Sequence, residues 1–203
     1  MAIVSNVSPH CVVPFGGKTD VTGTNPLAYG IPSNGHPFIF DAATAKYAWG
    51  TIRLARESGQ HLPDNAFADE AGNITTDPYV ATSVLSFGDF KGYAINLLMD
   101  VMTGCMIWCK SGLDTTEDER ASIGTFVIII DPSAFVDISE FKKSTAKLAQ
   151  DIMAVTPVDP AQPVRIPGFR GAEQRERLLQ EGVIEIEAAD WQKFMTAYTA
   201  TVQ

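Results

Sequence analysis

Proline and glycine recur so closely through the first 35 residues, at Pro9, Pro14, Gly16, Gly17, Gly23, Pro26, Gly30, Pro32 and Gly35, that a helix has no room to start. Proline removes a backbone donor and fixes φ, and glycine makes ordering the chain costlier. Such a segment folds as short strands joined by turns. Cys11-Val12-Val13 and Leu27-Ala28-Tyr29 are the extended pieces left between the breakers, and Pro37-Phe38-Ile39-Phe40 is another.

Helical patterns begin only after this point. Asp41 stands where an N-cap belongs, which predicts a helix through about Ser58 with Gly59 as its stop. Gln60 to Pro78 is polar and reads as a long loop, and a second helix is predicted from about Lys91 to Cys109. Tyr93 to Cys109 is the most hydrophobic stretch, but Asn96, Asp100 and Thr103 interrupt it and it falls short of the roughly 20 apolar residues that span a bilayer. It reads as a buried helix. Ser111 to Ser122 is an expected exposed loop, and the continuous apolar run Phe126-Val127-Ile128-Ile129-Ile130 has the pattern of a buried central strand. Phe141, Leu148, Ile152 and Met153 mark an amphipathic helix between Ser139 and Val155. After a proline-rich connection, Ala172 to Glu181 reads as a helix ended by Gly182, Val183 to Glu187 as strand-like, and Asp190 as the cap of a last helix.

Charge and cysteine usage narrow the function classes. Fifteen Lys and Arg against 24 Asp and Glu give a net charge of −9 with no basic run, so a nucleic acid or an anionic membrane is not an expected partner. The odd cysteine count (Cys11, Cys105, Cys109) and an N-terminus without a signal-peptide pattern give the expectation of a reduced, cytoplasmic chain. Cys105 and Cys109, one helical turn apart, are expected to be small core residues.

The common nucleotide motifs are missing. Gly16-Gly17-Lys18-Thr19 ends like a phosphate loop, but Val12 occupies the position where that loop needs a glycine. No Gly-x-Gly-x-x-Gly and no Gly-x-Ser-x-Gly occurs, which removes the usual Rossmann fingerprint and the hydrolase elbow. His10, His36 and His61 lie in separate turn-like segments without metal-ligand spacing, so no metal site is expected. Gly88-Asp89-Phe90-Lys91-Gly92 is more specific. Glycines flank a lysine at the start of an otherwise apolar helix, where backbone N–H groups and an ammonium suit an anion. Arg165, Arg170, Arg175 and Arg177 form the one arginine cluster of an acidic chain, which fits either a phosphate contact or a solvated helix face.

The order of the motifs adds information that none carries alone. Gly23-Thr24-Asn25-Pro26-Leu27-Ala28-Tyr29-Gly30-Ile31-Pro32, then Phe40-Asp41-Ala42-Ala43-Thr44, Thr75-Thr76-Asp77-Pro78 and Phe87-Gly88-Asp89-Phe90-Lys91-Gly92-Tyr93 together resemble the type 2 malate/L-lactate dehydrogenase family. Ser8-Pro9, Pro14-Phe15-Gly16-Gly17 and Ile166-Pro167-Gly168 extend the resemblance over nearly the whole chain. It implies an α/β fold with a mixed, largely antiparallel sheet and flanking helices, distinct from the standard Rossmann fold. It also implies an NAD- or NADP-dependent oxidoreductase acting on a small 2-oxo acid or cyclic imino acid.

Positions carry over one by one. Thr24 resembles the family's substrate-contacting threonine, and Asp41, Ala42 and Ala43 match the segment lying along the cofactor. Lys91 matches the lysine of the family's Gly-Gly-His-Lys-Gly motif, with Phe90 in place of its histidine. Gly168 to Gln174, including Arg170, resembles a late loop that touches the dinucleotide. Some members carry an Asp just after the glycine matching Gly50, where this chain has Thr51. The family's Ser-His-Gly motif and its substrate-gripping arginine belong to a region expected to precede Met1, so no catalytic proton donor is assigned and a truncated form is expected. The resulting organisation is a cofactor-binding unit over 1–135 and a helical segment over 136–203, in a homodimer. The alternative is a non-catalytic nucleotide-binding or structural remnant.

Overall fold

The computed structural model describes residues 1–115 and 123–202, in which two small sheets carry the fold. The first sheet is antiparallel throughout, built from β1 (Ala2–Asn6), β3 (Leu27–Ile31), β4 (Phe38–Ala42) and β7 (Thr125–Ile129) in the order β4-β3-β1-β7. The second holds β2 (Val12–Val13), β6 (Ala81–Leu85) and β5 (Phe67–Asp69), with β2 parallel and β5 antiparallel to β6. This is the mixed, largely antiparallel α/β arrangement expected.

The helices are α1 (Gly50–Ser58), α2 (Phe90–Thr103), α3 (Ile138–Met153), α4 (Phe169–Glu181) and α5 (Ala188–Val202). Gly59 and Gly182 end α1 and α4 in the left-handed conformation, each at φ 68°, as their positions in sequence foretell. Phe67, fully buried, centres a core in which α1 covers the small sheet through Ile52 and Ala55 against Val12, Ala66 and Val84. A second cluster seats α3 on the larger sheet, with Ala149 and Ile152 against Phe38, Tyr29 and Ile31.

Several expectations fail for physical reasons. Asp41 is not an N-cap: β4 continues to Ala42 because its ladder with β3 runs from Ile31↔Phe38 to Leu27↔Ala42, and pairing outweighs the capping preference. β5 lies inside the expected loop over 60–78, held by its ladder to β6, a strand with no clear signal in the sequence. The run at Phe126–Ile129 lies in an edge strand, with β1 as its one neighbour among the described residues and Ile129 80% exposed, rather than in a buried central one. Val183–Glu187 finds no strand to pair with among the described residues and stays irregular, and α5 begins at Ala188, placing Asp190 in its first turn. Cys105 is exposed and Cys109 half-buried, because α2 stops at Thr103 and a short 3-10 turn follows. Part of the loop expected over 111–122 lies outside the described residues. Among the described residues no helix is long and apolar enough to cross a membrane.

The apolar helix is also inverted. The side chains α2 buries are Asn96, Met99, Asp100 and Thr103, while Leu97, Leu98 and Val101 are exposed. A helix that turns an amide, a carboxylate and a hydroxyl inward has partners for them there.

Candidate functional site

Thr103 donates to the Met99 carbonyl one turn back at 2.6 Å, while Asn96 and Asp100 reach the turn Gly23-Thr24-Asn25-Pro26. Asn25 is fully buried at φ 30°, a conformation its short polar side chain tolerates. Its Nδ2 donates to Asp100 Oδ2 at 2.9 Å, and its Oδ1 accepts the Ser8 N–H at 3.1 Å. The other Asp100 oxygen accepts the Gly112 N–H at 3.2 Å. Asn96 Nδ2 donates to the Gly23 carbonyl at 2.7 Å and to Thr44 Oγ1 at 2.8 Å, leaving its buried Oδ1 without a partner among the described residues. Gly23 is obligatory, since a Cβ there would stand 2.2 Å from the Ser8 carbonyl oxygen. The network fixes the backbone of the turn and leaves Thr24 half-buried, its hydroxyl 3.1 Å from Ser8 Oγ.

Thr44 joins this turn to the start of α2. Its N–H donates to the Thr24 carbonyl at 2.8 Å, and its hydroxyl lies 2.9 Å from the carbonyls of both Thr24 and Asn25. Its own carbonyl accepts the Phe87 N–H at 3.2 Å, just ahead of the Gly88–Gly92 turn. Gly92 permits that turn's closeness, because a Cβ would fall 1.5 Å from the Phe87 carbonyl oxygen.

The start of α2 has no side-chain cap. Asp89, at φ 55°, makes no capping hydrogen bond, and with the Lys91 N–H donating to the Gly88 carbonyl at 3.3 Å, the N–H groups of Phe90 and Gly92 are the first-turn donors without an acceptor among the described residues. The Asp89 carboxylate instead faces Lys46 Nζ at 3.4 Å, and Lys46 also donates to the Asn65 carbonyl at 2.8 Å. Lys91 is exposed with its ammonium 5.9 Å from the Phe90 ring centroid, and Phe90 packs edge-on against Phe15 at 6.1 Å. An uncapped helix start beside two ammonium groups and an exposed aromatic pair suits a phosphate-bearing, ring-containing group.

The late loop packs on β4 at Ile39. Ile39 N–H donates to the Pro167 carbonyl at 3.1 Å, and Gly168, at φ 87°, passes so close that a Cβ would lie 2.8 Å from the Ile39 carbonyl oxygen. Asp41, Ala42 and Ala43 follow two to four residues along that strand and its exit. Within the arginine cluster, Arg165 lies 3.9 Å from Glu173 and Arg177 3.1 Å from Glu181, while Arg170 and Arg175 make no ion pair among the described residues. Arg177 belongs to a solvated helix face, and Arg165, ahead of α4, reaches Glu173 on it. Arg170, in the first turn of α4, is exposed and makes no ion pair among the described residues.

Comparison with known proteins decides the lineage. The family described as malate/L-lactate dehydrogenase matches residues 1–195. The chain belongs to that family. It is 34% identical over 186 residues to a malate/(S)-sulfolactate dehydrogenase of Methanothermus fervidus, covering 89% of this chain and 53% of the relative. It is 31% identical over 182 residues to the ureidoglycolate dehydrogenase (NAD(+)) of Escherichia coli K12, covering 87% and 52%. The crystal structure of a Δ1-piperideine-2-carboxylate reductase from Pseudomonas syringae superposes with a TM-score of 0.80 at 27% identity, over 95% of this chain and 58% of that one. The chain thus spans about half the length of the curated relatives it matches.

Against the malate/L-lactate dehydrogenase motifs, the structure connects Thr24 to the Phe87–Gly92 turn through Thr44, and it brings Gly168 to the strand that carries Asp41. Ser8, Asn25, Thr44, Asn96 and Asp100 were not singled out as site residues by the sequence. The available signal was the polar face Asn96, Asp100, Thr103, spaced by four and three residues inside an apolar stretch. The histidines stay apart: His10 Nδ1 lies 2.6 Å from Asp20, His36 stacks edge-on with Phe169, and His61 is exposed between α1 and β5.

Proposed function

We propose that this chain supplies the nicotinamide dinucleotide site and part of the substrate site of an oxidoreductase that reduces a small 2-oxo acid or cyclic imino acid. The observation that carries the reading is the Thr44 bridge, which ties the hydroxyl-bearing turn at Thr24 to the uncapped start of α2. In this reading the phosphates of NAD or NADP sit at the α2 start near Lys91, with Phe90 beside them and Asp41, Ala42 and Ala43 along the dinucleotide. Gly168 and Arg170 approach from the start of α4, and the Arg170 guanidinium, without an ion pair among the described residues, suits a 2′-phosphate, which favours NADP. The fit is supported by the missing cap on α2 and by the close passage at Gly92.

The bound cofactor supplies a hydride from C4 of its nicotinamide. Thr24 holds the substrate's carboxylate or carbonyl oxygen through its hydroxyl, and the buried scaffold of Asn25, Asn96 and Asp100 keeps that hydroxyl in place. The reduced oxygen or nitrogen needs a proton, and a positioned acid contributes about 10²–10⁴-fold to such a step. A Ser-His-Gly motif does not occur in these 203 residues, so turnover of pyruvate, oxaloacetate or a cyclic imino acid by this chain alone is expected to be weak. We further read the protein as a cytoplasmic homodimer, with 1–135 as the cofactor unit and 136–203 as a helical segment packed on it.

Titration of NADPH and NADH with the chain, followed by reduced-nicotinamide fluorescence, tests the reading. A saturable signal that Lys91→Ala weakens supports it. A saturable signal without any turnover, even when the protein is extended by an upstream Ser-His-Gly region, favours a non-catalytic nucleotide-binding role. No saturable signal with either cofactor up to millimolar concentration contradicts both.

A further inference from the structure

The hydroxyl beside Thr24 determines what Thr24 can offer a ligand. Ser8 Oγ accepts the Asn25 N–H at 3.3 Å and lies 3.1 Å from Thr24 Oγ1, with no other acceptor for its own proton among the described residues. A serine hydroxyl has one proton to give and two lone pairs. With one lone pair used by Asn25, two orders remain for the Ser8–Thr24 contact. In the ligand-free chain either order leaves one hydroxyl proton without an acceptor among the described residues, on Ser8 if Thr24 donates and on Thr24 if Ser8 donates. A ligand oxygen at Thr24 breaks the tie, because only the second order gives it a proton and leaves no donor unpaired. The first order leaves the Ser8 proton unused in a half-buried site, at a cost of about 1–3 kcal/mol.

We propose that Ser8 is a positioning residue that makes the Thr24 hydroxyl a committed donor toward the substrate's carboxylate or carbonyl oxygen, an inference that rests on reading Thr24 as the substrate contact. The order runs in one direction, from the Asn25 N–H to Ser8 Oγ, from the Ser8 hydroxyl to Thr24 Oγ1, and from the Thr24 hydroxyl to the ligand. Each donation polarises the next, so the terminal proton is a better donor than an isolated threonine provides. The far end of the chain is anchored. Asn25 Oδ1 holds the Ser8 N–H at 3.1 Å, and Asp100 Oδ2 holds the Asn25 amide at 2.9 Å from inside α2. Gly23 leaves the space this needs, since a Cβ there would stand 2.4 Å from Ser8 Oγ. A site so ordered takes an anionic or carbonyl oxygen at Thr24 and rejects a group that can only donate.

Neutron diffraction from deuterated crystals of the chain with NADPH and oxamate, a non-reactive 2-oxo acid analogue, reads the order directly. The Ser8 deuteron is expected on the line to Thr24 Oγ1 and the Thr24 deuteron turned to an oxamate oxygen; a Thr24 deuteron lying toward Ser8 overturns the proposal. Calorimetric titration of the NADPH-saturated chain with oxamate gives the second arm. Ser8→Ala should weaken oxamate binding about five- to tenfold, the worth of one hydrogen bond, with NADPH affinity unchanged. Ser8→Thr should restore it, and adding Ser8→Ala to Thr24→Ala should weaken it no further. Equal oxamate affinity in Ser8→Ala, or additive losses in the double variant, overturns the proposal. If the wild-type chain binds no oxamate, the substrate reading of Thr24 fails and the proposal with it, whereas oxamate binding that Ser8→Ala leaves unchanged overturns the proposal alone.

Discussion

Gly92 shows how tightly single residues hold the site. With the Phe87 carbonyl oxygen 1.5 Å from where a Cβ would stand, Gly92→Ala must push the start of α2 off the turn that precedes it. Overpacking of this kind costs about 1–3 kcal/mol. Urea denaturation should show that loss, and NADPH affinity should fall with it because the helix start moves. A variant with unchanged stability would mean that the turn yields more easily than its geometry implies. Residues of this class are legible in sequence only as glycines in a motif. Thr24 and Lys91 stand out as a hydroxyl in a tight turn and a lysine between glycines. Ser8 and Thr44 do not, because their role comes from neighbours 16 and 20 positions away in the chain.

Elements follow local pattern where partners are local and depart from it where they are distant. α3 is placed by its amphipathic spacing and by Asp137, whose side chain accepts the Ser139 and Glu140 N–H groups as an N-cap. Hydrogen bonds from Ser139 and Glu140 hold the Asp137 carboxyl below its ordinary value. A carboxyl depressed in the folded state stabilises above its unfolded value, near pH 3.8, and that contribution is lost as pH falls through the lower folded value. Asp137→Ala should therefore lower Tm at pH 7, and the gap to the parent should close on acidification below pH 3.8; a gap independent of pH would assign the loss to something other than the cap.

α2 departs from its pattern, because its hydropathy reports a buried apolar helix while its buried contacts are polar. Asn96 donates two hydrogen bonds from a fully buried site, so Asn96→Leu, which keeps the bulk, should destabilise by about 1–3 kcal/mol. Leu98→Lys, at a site 53% exposed, should stay within about 0.5 kcal/mol. The opposite ranking in urea melts would refute the inverted helix. Similarly, the apolar run in β7 reports a buried strand, yet β7 takes the sheet edge because β1 already pairs with β3 on its other side. Composition alone does not show which strand is last.

At the scale of the molecule, the α/β class and the largely antiparallel sheet were legible because breakers and apolar runs set element lengths and the motif order pointed to one family. The inner scaffold was not, since it depends on α2 meeting the turn 71 to 75 positions away. Apolar surface left outward on α2, on β7 and on α5, where Trp191, Phe194 and Tyr198 stack in an exposed column, fits a chain that associates. Sedimentation equilibrium should give twice the chain mass, and a monomer at all concentrations would contradict the homodimer reading. If Thr24, the exit of β4 and the start of α2 form one dinucleotide and substrate site, titrating the ¹⁵N-labelled chain with NADPH should give saturable backbone amide shifts at Ala42–Thr44 and Gly88–Gly92, extending to Thr24 when oxamate is added. Shifts confined to the apolar pocket lined by α4 and the Gly182–Ile184 segment after it would refute that site.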